Sequence, residues 1–445
     1  MSKVKINKSR RRLIQSAGSI PIAVSAPNVL SNHHHREQTN PVVSNLDEIY
    51  PRWKTDSAKW DLQTKRFPGQ KIHAAMGIAD LDFKTAPEIT KAIAERVLHE
   101  NWGYILTPDS YYESIVEWIL KRYGERISRD QLLLSTGVLP AIQSAIRAFC
   151  PKNSKVVLNS PGYTELYASI RKADCMPDES PLIKKNGMYS LDFPDLSKRL
   201  ARDDVHAFLL VNPHNPTGNC WSRDDLKKVA EICDENDVML FSDEIHCDFI
   251  ADDAQYTPVY SLATEAVKHK AIIFKSTTKA FNLSAFKTGY VYAHDAEIIS
   301  KIRQAGHIEF ANTLGVIASE VAYTHSEKWL NEVSKYINQN MILVEKYIRK
   351  NIPLIRFYRP EGTYLAWIDF TEWMSAIDAK EKANEKNEEE GDYMERYLVE
   401  KAGIQLGRGY RFGSGGEKYL RMNVGTSKIL LKEALDRIKM AADDL

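Results

Sequence analysis

What most constrains the fold of this 445-residue chain is a pattern that recurs between residues 131 and 279. Short apolar runs each close on a cluster of polar or turn-forming residues. Residues 131–134 run into Ser135-Thr136-Gly137, and 156–158 into Ser160-Pro161-Gly162. Residues 208–211 run into Asn212-Pro213-His214-Asn215-Pro216-Thr217-Gly218, 238–241 into Ser242-Asp243-Glu244, and 272–274 into Ser276 and Lys279. Apolar residues at helical spacing mark helices over 89–98, 111–122 and 226–236. Strands alternating with helices predict an α/β fold with a mostly parallel central sheet covered on both faces. In such sheets ligands gather beyond the carboxyl ends of the strands. Every cluster above falls at such an end, so they converge on one cleft.

The character changes near residue 326. A long helix pattern runs to about 350, a strand pattern over 363–370, and a charged stretch over 378–390 that reads as a solvated helix or loop. A strand over 419–424 and an amphipathic helix follow. The expected division is a large domain over 86–325 and a smaller α+β domain over 326–445, with residues 46–85 as an N-terminal segment that joins the small domain.

Charge narrows the partners. Lys plus Arg number 60 and Asp plus Glu 59, a balance that gives no strong field for nucleic acid or anionic lipid and points to a small-molecule partner. The five cysteines, Cys150, Cys175, Cys220, Cys233 and Cys247, form no CxxC pair and no metal-ligand spacing, so neither a disulfide framework nor a metal centre is expected. His33 to His35 could catch a metal ion but stand in a polar stretch that reads as loop.

The N-terminus carries its own message. Arg10-Arg11-Arg12 precede Leu13-Ile14, a weakly apolar stretch spans 16–24, and Val24-Ser25-Ala26 supplies small residues for cleavage. This three-part plan predicts an export signal over 1–26, of twin-arginine type, and a periplasmic or otherwise exported protein. The other reading is a basic tail on a cytoplasmic protein. The stretch is too short and polar to span a membrane, so no stable membrane insertion is expected. Residues 27–45, rich in Asn, His, Pro and Ser, read as a linker.

The chemistry rests on three residues that follow three different strands: Asn215, Asp243 and Lys279. An amine that forms an imine, an acid that holds a pyridine nitrogen protonated, and an amide that donates to a phenolic oxygen are what a pyridoxal 5'-phosphate (PLP) site requires. Each motif alone has a plain structural reading, a turn for Asn-Pro-Thr-Gly and a helix cap for Asp. The ordered set carries the inference.

In that order and spacing the chain resembles the class I/II aminotransferase superfamily, PLP fold type I, and within it the MalY/PatB group of cystathionine β-lyases. The resemblance rests on Asn212 to Gly218, on Ser242-Asp243-Glu244-Ile245-His246 with Asp248, on Ala79-Asp80-Leu81-Asp82-Phe83, and on Gly103-Tyr104 before Ser110 to Glu113. It covers roughly residues 46–445. It implies Lys279 as the Schiff-base lysine and the acid/base at the substrate Cα. It implies Asp243 on the pyridinium nitrogen, Asn215 on the ring O3′, Tyr163 stacked on the ring, and His246 where aminotransferases often have tyrosine. Gly137 and Val138 would offer N–H groups to the phosphate and Ser276 a hydroxyl, while Tyr104 would reach it from the neighbouring subunit of a homodimer. Arg421 would grip the substrate carboxylate. Lys287 stands where the superfamily often has a phosphate-binding arginine, and it reads equally as a phosphate contact or a surface charge. Met76-Gly77-Ile78 stands where the lyase group has Met-Trp-Val near the substrate entrance, which leaves the substrate open. Gly407, Gly409, Gly413, Gly415 and Gly416 lack the setting of a nucleotide loop and read as a mobile loop beside Arg421.

The function these implications favour is α,β-elimination from a cystathionine- or cysteine-like amino acid, giving pyruvate, ammonia and a thiol. An aminotransferase is the nearest alternative, and a binding or regulatory protein on the same scaffold is a third.

Overall fold

The computed structural model describes residues 45–306 and 312–445. The expected alternation resolves into a seven-stranded sheet: β1 Leu132–Ser135, β2 Lys155–Ser160, β3 Met176–Pro181, β4 Val205–Val211, β5 Met239–Asp243, β6 Ala271–Lys275 and β7 Gly289–Tyr292. Their order across the sheet is β1-β7-β6-β5-β4-β2-β3. Strands β2 to β6 run parallel to their neighbours among themselves. Strand β7 runs antiparallel to both β1 and β6. The chain between β6 and β7 holds only the turns Thr277–Ala280 and Ser284–Phe286, with no crossover helix, so β7 returns in the opposite sense.

These strands read as continuous apolar runs because both faces are covered. Successive residues point into different cores. Leu133, Leu158, Leu209, Phe241 and Phe274 face one; Leu134, Val157, Leu210, Leu240 and Ile273 face the other. The helix Val138–Phe149 closes the first core against β1 and β7 through Ala141, Ile142 and Ala145. Helices Pro87–Val97 and Asp109–Tyr123 match the two expected before the sheet, and Arg223–Glu235 the one between β4 and β5.

A second sheet comes from the C-terminal part: β8 Arg356–Phe357, β9 Leu365–Asp369, β10 Gly407–Arg408 and β11 Tyr419–Asn423, antiparallel in the order β8-β9-β11-β10. The long helix Glu327–Asn351 precedes it, and the charged stretch forms Ala379–Glu385 before Glu390–Ala402 begins. A two-residue strand, Ala74–Ala75, pairs in parallel with Ile404–Gln405 and ties the early chain to this region.

The glycine-rich segment is not the mobile loop its composition suggests. Gly407 pairs with Arg421, residues Gly409–Phe412 form a 3-10 turn, and Gly409 is buried. A Cβ on Gly409 would meet the Gly416 and Tyr419 carbonyls at 2.2 Å, so close backbone packing, not freedom, requires the glycine.

The export signal expected over 1–26 and nearly all of the linker expected over 27–45, with His33 to His35, fall outside the described residues. Among the described residues no helix is long and apolar enough to cross a membrane.

Candidate active site

The carboxyl ends of β4, β5 and β6 open onto a cavity of about 390 Å³ lined by Asn215, Asp243, His246, Thr278 and Lys279 among others. Lys279 lies in the single turn Thr277–Ala280 directly after β6. Its Nζ donates to the Ala79 carbonyl at 2.6 Å. Loss of hydration pushes the amine down to about 8; the Asp80 and Asp243 carboxylates oppose that shift, and the Arg421 and Lys287 charges assist it. A lysine so placed is neutral in a useful fraction near neutral pH, as a nucleophile or base at carbon must be.

Asp243 is the last residue of β5 and is buried. Its Oδ1 accepts from the Ile245 N–H at 3.2 Å. Burial lifts the carboxyl to about 7, against the lowering effects of that hydrogen bond and of Lys279. A buried acid held that high favours a cationic partner, which is what a pyridinium would be. Asn215 accepts from Arg421 Nη1 through Oδ1 at 3.0 Å, which fixes the amide and leaves Nδ2 as a donor. His246 is buried edge-on to Tyr364, with ring centroids 5.6 Å apart. Burial first, then the Lys279 and Arg421 charges, hold the imidazole neutral, and its Nδ1 has no partner.

At the far end of the cavity Gly137 caps the helix Val138–Phe149 with φ +146°, a conformation that side chains disfavour. The N–H groups of that first turn and the helix dipole favour an anion there. Gly289 keeps the wall thin, since a Cβ on it would stand 3.0 Å from the Val138 nitrogen. Lys287 lines the same cavity. Ser276 differs from expectation. Its hydroxyl accepts from the Thr278 N–H at 3.0 Å and donates to the Thr288 carbonyl at 2.6 Å, so it caps the Lys279 turn and does not line the cavity. Thr278, Ser284 and Thr288, which sequence reasoning missed, line it instead. Tyr104 is fully exposed between the helices Pro87–Val97 and Asp109–Tyr123 and does not reach the cavity of its own chain.

A second cavity, about 430 Å³, shares Ala79, Tyr163 and Lys279 with the first and adds Arg421. Tyr163 therefore stands between the two. Arg421, in the middle of β11, is buried, with Nη2 donating to the Gly77 carbonyl at 2.9 Å and its guanidinium 4.8 Å above the Phe412 ring. Its Nε is buried and has no hydrogen-bond partner among the described residues. The sequence reading found Arg421 but not the Ala79 and Gly77 carbonyls or Tyr364, whose hydroxyl donates to Ala79 O at 3.1 Å. Only Lys279 marks them, and only in three dimensions.

The residues fit PLP on this geometry. An amine, a high-pKa buried acid and a free amide donor ring one cavity, and a helix start with a lysine beside it closes the end where a phosphate would go. Comparison with known proteins agrees. Cystathionine beta-lyase PatB of Bacillus subtilis is 31% identical over 401 residues, covering 89% of this chain and 99% of PatB. The fold superposes on PLP-containing cystalysin from Treponema denticola with a TM-score of 0.83 at 28% identity, covering 90% of this chain and 99% of that one. It superposes on the PLP-bound C-S lyase of Staphylococcus hominis with a TM-score of 0.80 at 29% identity, with coverage of 90% and 99%. The family model described as aminotransferase class I and II matches residues 73–438, and this chain belongs to that family.

Proposed function

We propose that this chain is a PLP-dependent carbon–sulfur lyase that carries out α,β-elimination on an S-substituted cysteine. The observation that carries the reading is the position of Lys279, with Asp243 and Asn215 in the cavity on one side and Arg421 in the cavity on the other. PLP, when bound, supplies an electron sink for the pair left at the substrate Cα. The chain's own residues do the rest. Arg421 receives the α-carboxylate, which orients the Cα–H toward Lys279, a residue lining the same cavity. The lysine amine, pushed down to about 8, takes that proton. Asp243 as a carboxylate pairs with the ring nitrogen, and Asn215 donates from Nδ2 to the ring oxygen. Over the full reaction the Cβ–S bond breaks, water is consumed, and pyruvate, ammonium and the thiol leave. The names of PatB, cystalysin and the S. hominis lyase support this choice over transamination.

The test is pyruvate release from L-cystathionine by purified holoenzyme with no keto acid added. Turnover only when a keto acid is supplied makes the protein an aminotransferase. A regulatory effect that survived Lys279→Ala unchanged would favour the binding role.

The working unit is a homodimer in which Tyr104 contacts the neighbour's phosphate site. Leu98, Trp102, Tyr104 and Leu106 are all exposed on one segment, an apolar surface that a partner subunit would cover. Export follows from Arg10 to Arg12 and the apolar stretch after them. Cell fractionation of the full chain and of an Arg11→Lys/Arg12→Lys variant tests it; equal cytoplasmic retention of both ends that part of the reading.

A further inference from the structure

The geometry points to Arg411 as a specificity-determining residue of the substrate cavity, one that selects leaving thiols carrying a carboxylate. The inference rests on the carbon–sulfur lyase reading and adds to it the chemical class of the leaving group.

The substrate cavity is lined by Arg66, Arg408, Arg411, Arg421 and Lys279 and by two carboxylates, Glu165 and Glu395. Most of these charges are already committed. Glu395 takes Arg66 at 2.9 and 2.6 Å, Gln405 at 2.7 Å and Arg408 at 3.3 Å. Arg408 is also paired with Asp392. Arg421 is the α-carboxylate site and Lys279 the reacting amine. Two charged side chains of this lining, Arg411 and Glu165, have no ion pair or hydrogen bond of their own among the described residues, and both are exposed.

Their backbones are fixed relative to each other and to the ring-stacking residue. Thr164 Oγ1 donates to the Arg411 carbonyl at 2.6 Å, and the Gly162 N–H donates to the Phe412 carbonyl at 2.6 Å. Arg411 is thus hung on the segment that carries Tyr163 and Glu165. Its neighbour Phe412 lies under the Arg421 guanidinium. Arg411 and Arg421 therefore border one cavity, and Arg411 is the charge there that a sulfur substituent could still engage.

Gly77 makes that space polar. A Cβ at this position would stand 2.5 Å from Gln405 Nε2, so the Gln405 side chain fills the volume that any side chain here would need. Gln405 Oε1 accepts from the Gly77 N–H at 3.2 Å and its Nε2 donates to Glu395. The wall is therefore a hydrogen-bonded layer backed by Arg66 and Arg408, where an aromatic residue would have offered an apolar surface. An alkyl leaving group gains little from such a wall. A carboxylate gains a charge-assisted contact with Arg411, and an ammonium beside it meets Glu165.

The test uses holoenzyme and two compounds of equal chain length, S-(2-carboxyethyl)-L-cysteine and S-propyl-L-cysteine. Binding is read from the change in cofactor absorbance, and cleavage from pyruvate. Wild type should bind the carboxylate compound about tenfold more tightly or better. Arg411→Gln should bring that ratio close to one by weakening the carboxylate compound, and Arg411→Lys should keep part of it. Equal affinity in wild type, an Arg411→Gln variant that weakens both compounds alike, or no absorbance change with either compound overturns the assignment. The absorbance titration judges Arg411 even if neither compound yields pyruvate, an outcome that would count against the lyase reading alone.

Discussion

At the scale of single residues, the site is built by moving two ionisable groups in opposite directions with the same force, the loss of water. Asp243 is raised to about 7 from 3.8. Between those values the folded protein keeps a proton that the unfolded chain has released, so this group's contribution to stability is present below pH 3.8 and is lost as pH rises through 7. In cofactor-free protein, Asp243→Asn should therefore gain stability over wild type between pH 4 and pH 8, by a few kcal/mol. Denaturant midpoints of both proteins at the two pH values measure it. Glu125, also pushed up to about 7, is common to both proteins and cancels. A difference that does not change with pH would mean Asp243 is well hydrated. With PLP bound the order should reverse, because the variant lacks the anion that pairs with the pyridinium. Lys279 moves the other way, from 10.5 to about 8, so the unfolded chain holds a proton that the folded amine has lost, and stability from this group rises with pH across that window. The rate at which cofactor-free protein takes up PLP, followed by absorbance, should rise with a midpoint near pH 8. A midpoint near 10.5 would show a fully hydrated amine.

At the scale of elements, the segment Gly77 to Asp82 decides whether those residues meet. It is clamped from several directions. Asn423 Nδ2 donates to the Ile78 and Asp80 carbonyls at 2.6 Å each, and Asn282 exchanges two hydrogen bonds with Leu81 at 2.9 Å. Asp82 accepts from Lys59 at 2.8 Å, Trp60 Nε1 at 2.9 Å and Arg52 at 3.2 Å. Lys59 is wholly buried, so Asp82→Ala strips a buried ammonium of its closest counter-charge, leaving Asp80 at 3.7 Å. The loss should be about 3 kcal/mol, the lower part of the range for breaking a buried pair. Because this segment carries the Ala79 carbonyl on which Lys279 rests, the cofactor absorbance should shift as well. Unfolding followed by far-UV circular dichroism, beside the spectrum of the native variant, checks both. A loss under 1 kcal/mol with an unchanged spectrum would mean that Asp82 does not hold this segment in place. The Ala-Asp-Leu-Asp-Phe block is thus legible in the sequence as a family feature, but its work is structural support of the site, which only its partners 20 and more residues away reveal.

At the scale of the whole molecule, one chain brings Asn215, Asp243, His246 and Lys279 to one cavity and Arg421 to the next, while its Tyr104 does not reach either. If the chain forms a homodimer in which Tyr104 completes the neighbour's phosphate end, Tyr104→Phe should weaken PLP retention by about tenfold, as loss of one charge-assisted hydrogen bond does, without changing the sedimentation of the protein. Dialysis against cofactor-free buffer, with sedimentation velocity alongside, measures the two separately. PLP retention equal to wild type would confine Tyr104 to surface packing.

Arg421, inside β11 of the second sheet, and His246 were legible only through the family resemblance, whereas the strand–cluster–helix rhythm follows from the amino-acid order alone, and with it the cleft where Asn215, Asp243 and Lys279 meet. That much is local. Buried parallel strands need unbroken apolar runs, and the polar residues that follow have nowhere to point but beyond the strand ends. Tertiary structure decided what period and composition do not encode. It turned β7 antiparallel, folded the glycine-rich segment onto β11, drew Ser276 into a cap while Thr278 lined the cavity, and left Arg411 and Glu165 in the second cavity's lining without partners among the described residues. Each of those outcomes depends on which groups have already satisfied one another across the chain. A hydroxyl or a guanidinium is available for function only after the fold has finished its own hydrogen-bond accounting.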